Sequence, residues 1–420
     1  MATTATSVAE TCAAAKRAAR ELASLPSGVK DAALEAIATE LIERTPEILD
    51  ANARDLASGR EAGLTDALMD RLALDAGRVA AVARQVRDIV ALPDPVGEVV
   101  DGFRLPNGLD VRKVRVPLGV IAVVYEARPN VTIDAAALCL KSGNAIVLRG
   151  SSTAAHSNAV LAAVAIEAGL SAGMPEGAMA LIAGAREDLE QLATQEGVID
   201  LIIPRGGEGL KAALKAVATV PVMYAASGNC HVYVDATASL EDALAIILNA
   251  KVQRPSVCNA AETLLVHEAV ASEFLPHALG ALAAAGVELR ADEPARRFAA
   301  DVPMAAATEE DWATEYHALT LAVRVVDSAE EAIEHINLYG SGHSEAIVTR
   351  DTEAARAFQL GVDAACVYVN ASTRFTDGGE FGMGAEIGNS TQKLHARGPI
   401  GLRELCSFKY LVEGAGHVRA

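Results

Sequence analysis

Hydrophobic and polar positions alternate with a helical period along the first fifth of the chain. Between residues 8 and 90, apolar side chains recur three and four positions apart among charged ones, as at Ala33, Ile37 and Leu41. This spacing predicts helices that each bury one face. The Pro-Ser-Gly segment at 26–28 interrupts the pattern and separates the first two helices.

Short apolar runs of the strand type begin near residue 92. Runs at 98–103 and 109–116 flank Asn107-Gly108, and Asn-Gly between two such runs predicts a β-hairpin. Farther along, apolar runs alternate with Ala-rich helical stretches, which predicts two doubly wound α/β units with parallel sheets. The strands predicted for these units lie at 119–125, 145–148, 199–203, 231–234, 262–266, 321–326 and 366–369.

The last fifty residues have a different texture. Residues 371–401 are rich in glycine and carry few periodic apolar positions. A loop of this length is usually functional or disordered. Residues 407–412 predict one more strand.

Composition and charge narrow the function. The chain has 420 residues, which is a prior of about two to three domains, and its net charge is −19. Because phosphate backbones and anionic membranes both attract cations, this charge argues against a nucleic-acid-coating protein and against membrane docking. An anionic small substrate would need a pocket that is locally positive.

The sequence also predicts the compartment. The longest apolar run, at 159–166, is far shorter than the roughly 18 residues of a membrane span. Residues 1–20 contain Glu10 and no continuous apolar stretch, so we expect no secretory signal. The six cysteines are scattered without a C-x-x-C pattern, which is typical of reduced thiols in a cytoplasmic protein.

Three motif matches carry little weight. Residues 169–173 match the G-x-S-x-G nucleophile elbow, but a helical stretch precedes them where a strand is required, so we interpret them as a loop. Residues 382–388 nearly match the dinucleotide fingerprint, but the last glycine comes one position late. Cys230-His231 has no second Cys/His pair at zinc spacing, so we expect no metal there.

Three turns carry chemistry in combination. Cys258 lies between a predicted helix and a predicted strand, where Arg254 would favour its thiolate; a buried, inert thiol is the alternative. Asn130 lies on a turn directly after a buried strand, where ligands of such sheets collect, and its amide is suited to hold an oxyanion. Gly206 and Gly207 stand between a strand and a helix, which presents backbone N–H groups to an anion such as a pyrophosphate.

The order of these segments resembles the aldehyde dehydrogenase superfamily and, more closely, its gamma-glutamyl phosphate reductase family. The resemblance covers about residues 10–418. It is carried by 117–120, 125–132, Arg149, Gly206-Gly207, 253–259 with Cys258, Glu315-Tyr316-His317, 335–347 and 390–399. Several of these blocks are long enough to make coincidence negligible.

The resemblance implies an α/β, aldehyde dehydrogenase-like fold with two doubly wound α/β domains and a small β oligomerisation arm. It places a dinucleotide-binding domain at 1–96 and 117–227, and a catalytic domain with the cysteine nucleophile at 228–403. The arm would comprise the hairpin at 97–116 and the strand at 404–420. Because exposed strand edges need a partner, we expect a homodimer or homotetramer.

The resemblance also implies roles for single residues. Cys258 corresponds to the nucleophile and Asn130 to the oxyanion donor. Arg149 stands where the superfamily has a lysine near the cofactor ribose, and Ser152 stands where NAD-preferring relatives have a glutamate for the 2′-hydroxyl. Without that acid, charge favours NADP (NADPH) over NAD. The other implied cofactor-binding residues are Pro204, Arg205, Gly206, Gly207 and Glu315.

The implied reaction is the NADPH-dependent reduction of L-glutamyl 5-phosphate to L-glutamate 5-semialdehyde and phosphate through a Cys258 thioester. This is the second step of proline biosynthesis, and glutamate 5-kinase is a candidate partner. Surface ion pairs are the alternative for the arginines, and a helix cap is the alternative for Ser344. The implied substrate-binding residues are Arg128, Arg254, His343, Ser344, Glu345, Ser372, Thr373 and Arg374.

One position departs from the superfamily pattern. Tyr224 stands where the superfamily usually has a glutamate general base. Hydrolysis of a thioester needs such a base to activate water, whereas reduction of an acyl phosphate releases phosphate and needs no such water. The departure therefore disfavours hydrolytic oxidation. A CoA-acylating or other reductase of the superfamily and a non-catalytic nucleotide-binding member remain the alternatives.

Overall fold

The computed structural model describes residues 7–182, 186–224 and 227–419. The helices are α1 (Val8–Leu22), α2 (Ser27–Glu43), α3 (Thr45–Glu61), α4 (Asp66–Leu72), α5 (Ala76–Ala91), α6 (Val131–Lys141), α7 (Ala155–Ser171), α8 (Arg186–Ala193), α9 (Glu208–Val217), α10 (Leu240–Val252), α11 (Glu268–Ala284), α12 (Glu293–Phe298), α13 (Glu309–Ala313), α14 (Ala329–Tyr339) and α15 (Thr352–Gly361). The strands are β1 (Val99–Arg104), β2 (Asp110–Pro117), β3 (Val120–Tyr125), β4 (Ala145–Gly150), β5 (Met179–Ile182), β6 (Leu201–Arg205), β7 (Cys230–Val234), β8 (Ala261–His267), β9 (Glu288–Ala291), β10 (Ala305–Ala306), β11 (Thr320–Val326), β12 (Ser344–Val348), β13 (Cys366–Val369), β14 (Asn389–Ser390), β15 (Gly398–Pro399) and β16 (Cys406–Glu413). Two short 3-10 helices lie at Ser152–Ala154 and Thr373–Phe375.

The first ninety residues form helices α1 to α5, as the apolar spacing predicts. Their apolar stripes are buried, and Ala33 and Leu41 expose no surface. Ser7 accepts a hydrogen bond from the backbone of Glu10, whose carboxylate accepts one in return, and this capping box fixes the start of α1. The expected break falls at Pro26, the N-cap residue of α2, while Ser27 and Gly28 already form the first turn of that helix.

A four-stranded parallel sheet follows, in the order β5-β4-β3-β6. The predicted runs at 119–125, 145–148 and 199–203 are confirmed as β3, β4 and β6, while the pattern misses β5. All six residues of β3 are buried, as expected of a parallel strand that is covered on both faces. Residues 169–171 are the last residues of α7 and 172–173 form the turn after it, so the loop interpretation is wrong for the first three. The G-x-S-x-G match is still no nucleophile elbow, because a helix rather than a strand precedes it.

A separate antiparallel sheet has the order β1-β2-β16. The hairpin predicted from Asn107-Gly108 is confirmed as β1 and β2, and Gly108 has the positive φ of 96° that such a turn requires. The predicted terminal strand is confirmed as β16, which pairs with β2 over eight residues from Cys406–Pro117 to Glu413–Asp110.

A seven-stranded sheet has the order β10-β9-β11-β8-β7-β12-β13, and its paired strands are parallel. The four predicted runs are confirmed as β7, β8, β11 and β13. The pattern misses β9, β10 and β12. Apolar side chains from α10 and α11 pack on the sheet and form its main core, which includes Ile247, Phe274 and Leu275. The fold class predicted from the sequence is therefore confirmed.

Contacts divide the chain into two compact units. The first unit comprises Met1–Tyr224, Gly382–Gly388 and Ile400–Ala420, and the second comprises Ala225–Phe381 and Asn389–Pro399. The glycine-rich region at 371–401 has little regular structure, as predicted, but residues 382–388 belong to the first unit. The functions predicted for the domains stay predictions.

None of the helices in the described part of the chain combines the length and the apolar character that crossing a membrane requires.

Candidate active site

The four-stranded parallel sheet has a topological switch point between β3 and β6. These strands are neighbours although they are not consecutive, and Tyr125 pairs with Arg205 at their carboxyl ends. The backbone N–H of Glu126 donates to the carbonyl of Arg205 at 3.1 Å, which ties the two following turns together. In open α/β sheets, ligands bind at this kind of position.

At this switch point, the backbone at the N-terminus of α9 binds the carboxylate of Glu126. The backbone N–H of Gly207 donates to Oε2 of Glu126 at 2.9 Å. A Cβ at Gly206 would lie 2.5 Å from the same oxygen, so a larger residue there would displace the Glu126 side chain. The arrangement predicted for Gly206 and Gly207 is thus present, and a carboxylate stands where a pyrophosphate oxygen would bind. The donors fit a dinucleotide, whose pyrophosphate would replace Glu126 on this N–H.

The other predicted cofactor residues of the first unit surround the same strand ends. Arg149 lies near the end of β4, in the fields of Asp188 and Glu126, and partial burial lowers its pKa against those two charges. Ser152 is exposed at the start of a 3-10 helix. Pro204 is buried within β6 and pairs with Val124, so its side chain belongs to the sheet core.

Asn130 stands directly before α6. Its side chain does not cap the helix. Instead its Nδ2 donates to Oδ2 of Asp134, one turn farther along, at 2.8 Å. Burial raises the pKa of Asp134 to about 6, against the hydrogen bond from Asn130 and the charge of Arg205. Arg128, in the turn before Asn130, is exposed.

In the second unit, Cys258 lies on the turn between α10 and β8. It is partly exposed, whereas the other five cysteines are buried, and none of the six, which all lie within the described residues, forms a disulfide. The carbonyl of Cys258 accepts a hydrogen bond from the thiol of Cys230 at 3.2 Å. Gly228 packs against the same backbone, and a Cβ there would lie 1.7 Å from the Cys258 carbonyl oxygen. The alternative of a fully buried thiol therefore does not hold for Cys258.

Glu315 fixes the backbone that lies against Cys258. Its Oε1 accepts the N–H of Gly228 at 2.7 Å, and its Oε2 lies 3.3 Å from Nε2 of His317. Glu315 thus lies in the same unit as Cys258. Its predicted contact with a nicotinamide ribose stays a prediction.

Two arginines lie near Cys258. The Arg374 guanidinium lies in the fields of Arg254, Asp377 and Cys258, and burial together with repulsion by Arg254 lowers its pKa. Its Nε donates to Oε1 of Gln253 at 2.9 Å. Neither arginine forms an ion pair within the second unit's described residues, so the surface ion pair weighed for them is not observed. The two positive charges make this site locally positive on an acidic chain.

Asn259 hydrogen-bonds the segment that holds the predicted substrate residues 372–374 to the turn that contains Cys258. Its Nδ2 donates to the carbonyl of Thr376 at 3.0 Å, and its own carbonyl accepts from Oγ1 of Thr373 at 2.7 Å. Ser372 and Thr373 are buried, and Arg374 follows them within the short 3-10 helix. The structure thus brings Arg374, but not the side chains of Ser372 and Thr373, to the surface near Cys258.

His343, Ser344 and Glu345 are fully buried within the second unit. Ser344 and Glu345 lie in β12, so the alternative of a helix cap by Ser344 is wrong. The Ser344 hydroxyl lies 2.8 Å from Nδ1 of His343 and 2.5 Å from Oγ1 of Thr376. Their predicted contact with substrate stays a prediction, since their observed partners are protein groups.

Glu345 and His231 form a buried pair beneath this strand. Oε2 of Glu345 accepts the backbone N–H of His231 at 2.7 Å and lies 3.0 Å from its Nδ1. Burial raises the pKa of Glu345 well above its ordinary value and lowers that of His231 to about 3. His231 is therefore neutral near pH 7, and its Nδ1 lies against Glu345. The absence of a metal at Cys230-His231 stays a prediction.

Tyr224 ends the described stretch 186–224, and the next residue of its turn, Ala225, lies outside the described residues. The Lys215 ammonium lies 5.3 Å from the centre of the Tyr224 ring. Burial raises the pKa of Tyr224, so it is not an ionised base near neutral pH.

Sequence reasoning missed several residues that shape the site. Gly228 and Cys230 contact the backbone of Cys258, and Asp134 holds Asn130. The one signal in the sequence was the four-residue spacing of Asn130 and Asp134, which places both on one helix face. Gly228 and Cys230 lie about 30 residues before Cys258 in the sequence, and no local pattern predicts their contacts with it.

Known proteins match the chain over nearly its whole length. The sequence profile of the aldehyde dehydrogenase family matches residues 1–319. A gamma-glutamyl phosphate reductase of Thermobifida fusca is 57% identical over 406 residues, which are 96% of this chain and 97% of the relative. One of Moorella thermoacetica is 56% identical over 407 residues, which are 96% of this chain and 97% of the relative.

A solved structure agrees with these sequences. The crystal structure of a gamma-glutamyl phosphate reductase from Thermotoga maritima has a TM-score of 0.96 and 46% identity, and the match covers 98% of this chain and 100% of that one. Family membership implies an oxidoreductase with a nicotinamide cofactor and a small-molecule substrate. The chain belongs to the aldehyde dehydrogenase family and, within it, to the gamma-glutamyl phosphate reductases.

Proposed function

We propose that this enzyme reduces L-glutamyl 5-phosphate to L-glutamate 5-semialdehyde and phosphate, with NADPH as the reductant and a Cys258 thioester as the intermediate. The step would be the second of proline biosynthesis. Beside the family membership, the observation that carries the proposal is the pair of guanidinium groups near the partly exposed thiol. An acyl phosphate is multiply anionic, and Arg254 and Arg374 give the nucleophile's surroundings the opposite charge.

The first step is attack of the Cys258 thiolate on the substrate carbonyl carbon. Neighbouring guanidinium groups favour the thiolate over the thiol. A new S–C bond forms while the C–O bond to phosphate breaks, and phosphate leaves with the electron pair of that bond. Arg254 and Arg374 are placed to bind the phosphoryl oxygens, because the planar guanidinium fork matches their geometry.

Hydrogen-bond donors then hold the oxyanion that develops on the carbonyl oxygen. We assign this role to Nδ2 of Asn130 and to the backbone N–H of Cys258. One such donor contributes roughly 3 kcal/mol to the stability of a transition state. The backbone of Cys258 is held from behind by Gly228 and Cys230, so its N–H is fixed before substrate arrives.

A bound nicotinamide supplies the hydride that reduces the thioester to the aldehyde level. The chain's part would be to hold the dinucleotide at the switch point between β3 and β6, where the backbone N–H groups of Gly206 and Gly207 would bind its pyrophosphate. The thiohemiacetal then collapses to the semialdehyde and regenerates Cys258. No activated water enters the cycle, which is consistent with Tyr224 at the position of the usual base.

NADP is favoured over NAD by the residues near the end of β4. Ser152 is exposed and neutral where NAD-preferring relatives have a glutamate, and Arg149 supplies a positive charge. A 2′-phosphate would therefore meet attraction rather than repulsion. Asp188 and Glu126 partly offset that attraction, since both act on Arg149.

We further propose that the β1-β2-β16 sheet joins copies of this chain into a homodimer or homotetramer in the cytoplasm. This sheet exposes an unusual amount of apolar surface, including Val99 at 55%, Phe103 at 50%, Tyr410 at 61% and Val412 at 54%. Exposed strands with apolar side chains are prone to pair with a second chain. A glutamate 5-kinase partner remains a prediction from the family resemblance.

The reverse reaction tests the proposal. Purified protein is given L-glutamate 5-semialdehyde and NADP⁺, with phosphate, with CoA or with neither, and NADPH formation is followed. The proposal expects turnover that depends on phosphate, is lost in Cys258→Ala and is kept in Cys12→Ala, a buried thiol of α1. Turnover with CoA instead would favour the CoA-acylating alternative. NADPH binding without any turnover would favour a non-catalytic protein.

A further inference from the structure

Asn130 and Asp134 form a pair that the proposed reaction does not by itself explain. A polar residue at the start of a helix usually accepts an N–H of the first turn with its side chain. Asn130 leaves that role to its backbone carbonyl, which accepts from Ile133 and Asp134 at 3.0 Å each. Its carboxamide is free of capping and donates to Asp134.

The carboxylate of Asp134 has spare accepting capacity. Oδ2 accepts from Asn130, while Oδ1 is buried and has no hydrogen-bond partner among the described residues. A buried carboxylate oxygen without a donor is costly and is rarely kept without a reason. A neutral side chain of similar size would avoid burying a charge, so the sequence retains Asp134 at the expense of stability.

Arg205 is the charged group whose field acts on Asp134. It projects from the end of β6 and lies against Gly388, where a Cβ would be 2.6 Å from its Nη1. Gly388 is the late glycine of the segment at 382–388 that nearly matches a dinucleotide fingerprint. Gly388 has a φ of +145°, which disfavours any side chain, and its missing Cβ lets this guanidinium pack against it. The nearby positive charge favours the ionised form of Asp134 at neutral pH.

Ionisation of Asp134 decides which way the Asn130 amide points. An ionised carboxylate only accepts hydrogen bonds, so it selects Nδ2 and turns Oδ1 of Asn130 away. Nδ2 carries two hydrogens, and one remains to donate elsewhere. A neutral carboxyl group can instead donate to Oδ1, which would turn the amide over and present an acceptor where a donor is needed.

We propose that Asp134 is a positioning residue that fixes the Asn130 carboxamide so that Nδ2 is available to the oxyanion of the proposed reaction. The guanidinium of Arg205, which packs against Gly388, supports Asp134 through its positive charge. The inference rests on the oxyanion role assigned to Asn130 under the proposed function. Asp134 itself touches neither substrate nor cofactor in this scheme. It acts through the orientation of one amide.

The test compares Asp134→Asn with Asn130→Ala and with the double variant. The amide introduced by Asp134→Asn keeps the shape of the acid but can donate to Oδ1 of Asn130, so the Asn130 carboxamide loses its fixed orientation. We expect kcat to fall about 10- to 100-fold with KM within about twofold, below the roughly 10²- to 10³-fold loss expected for Asn130→Ala. The double variant should lose no more than Asn130→Ala, because the two residues act as one unit.

Asp242→Asn is the matched control. Asp242 also lies in the first turn of a helix, α10, but is exposed and has no amide to hold. Its replacement removes the same charge and should leave kcat unchanged. Thermal unfolding of each variant shows that the fold is intact.

A second readout does not depend on activity. The side-chain amide resonances of Asn130, assigned by their loss in Asn130→Ala, should shift with pH around 6 in the wild type and not in Asp134→Asn. In the wild type kcat should fall below about pH 6, and in Asp134→Asn this fall should be absent. Unchanged kcat in Asp134→Asn, additive losses in the double variant, or amide resonances that ignore pH would each overturn the inference. If Asn130→Ala kept full activity, the assigned oxyanion role would fail, while the resonances would still test whether Asp134 orients the amide.

Discussion

Replacing Gly228 by alanine tests how tightly the backbone of Cys258, the proposed nucleophile, is held. An added Cβ would lie 1.7 Å from the carbonyl oxygen of Cys258, and ordinary van der Waals contact begins at 3.4 Å. The gap must therefore open by roughly 1.7 Å, the difference of these two distances. The atoms in the way are the O, C and Cα of Cys258. Backbone atoms have no rotamer to change, so the turn that contains Cys258 must itself move.

The displacement predicts a large loss of rate. A misplacement of about 1 Å costs about 100-fold in rate when reacting groups are held for attack. Gly228→Ala should therefore lower kcat at least 100-fold in the reductase assay and change the rate at which iodoacetamide alkylates Cys258. Overpacking of this kind costs roughly 1–3 kcal/mol, which urea unfolding will measure as a lower free energy of unfolding.

Gly280→Ala is the matched control. Gly280 lies within α11 of the same unit, and a Cβ there would meet nothing within 4 Å. Alanine is favoured over glycine inside a helix by about 1 kcal/mol, so this variant should be slightly more stable and fully active. A Gly228→Ala enzyme with kcat within threefold of the wild type would refute the idea that this close backbone packing sets the position of Cys258.

Three further predictions follow from single features. Burial raises the pKa of Asp134 from 3.8 to about 6; the native state then binds more protons than the unfolded state in this interval, so stability falls as pH rises through it. The free energy of unfolding of Asp134→Asn, measured in urea, should therefore rise above that of the wild type as pH increases from about 4 to 6, by about 1–3 kcal/mol in total. A difference of the same size at pH 3 would contradict the assignment of this effect to the raised pKa of Asp134. Ser152→Glu should raise the KM for NADPH more than tenfold and leave the KM for NADH nearly unchanged, and steady-state kinetics showing equal effects on both would count against the assigned 2′-phosphate site. Replacing Phe103 and Tyr410 together by serine should lower the assembled mass in light scattering, whereas Leu338→Ser, at a side chain that is 71% exposed outside the sheet, should not.

Local sequence signals predict much of the fold. Asn107-Gly108 predicts the hairpin because few dipeptides adopt its turn, and the apolar run before Tyr125 predicts β3 because a buried parallel strand needs one. The pattern misses β12 because this fully buried strand begins with two polar residues, Ser344 and Glu345, which hydrogen-bond to Thr376 and His231. Only the tertiary structure supplies those partners.

The site is predictable in its chemistry but not in its support. Cys258 and Gly207 stand out because a thiol on a turn and a glycine before a helix have local signatures. The packing of Gly384 onto Leu92 joins positions nearly 300 residues apart, and a Cβ at 384 would lie 2.8 Å from that side chain. Nothing near residue 384 in the sequence indicates that this glycine-rich segment belongs to the first unit.

The most direct test of the account is to trap the acyl group on the enzyme. Wild type and Cys258→Ala are incubated with L-glutamate 5-semialdehyde and NADP⁺ without phosphate, and the intact proteins are weighed by mass spectrometry. The account predicts a burst of NADPH with a glutamyl thioester on Cys258, which added phosphate discharges and which the variant never forms. NADPH formation by Cys258→Ala at the wild-type rate, or an acyl group located on another residue, would contradict it.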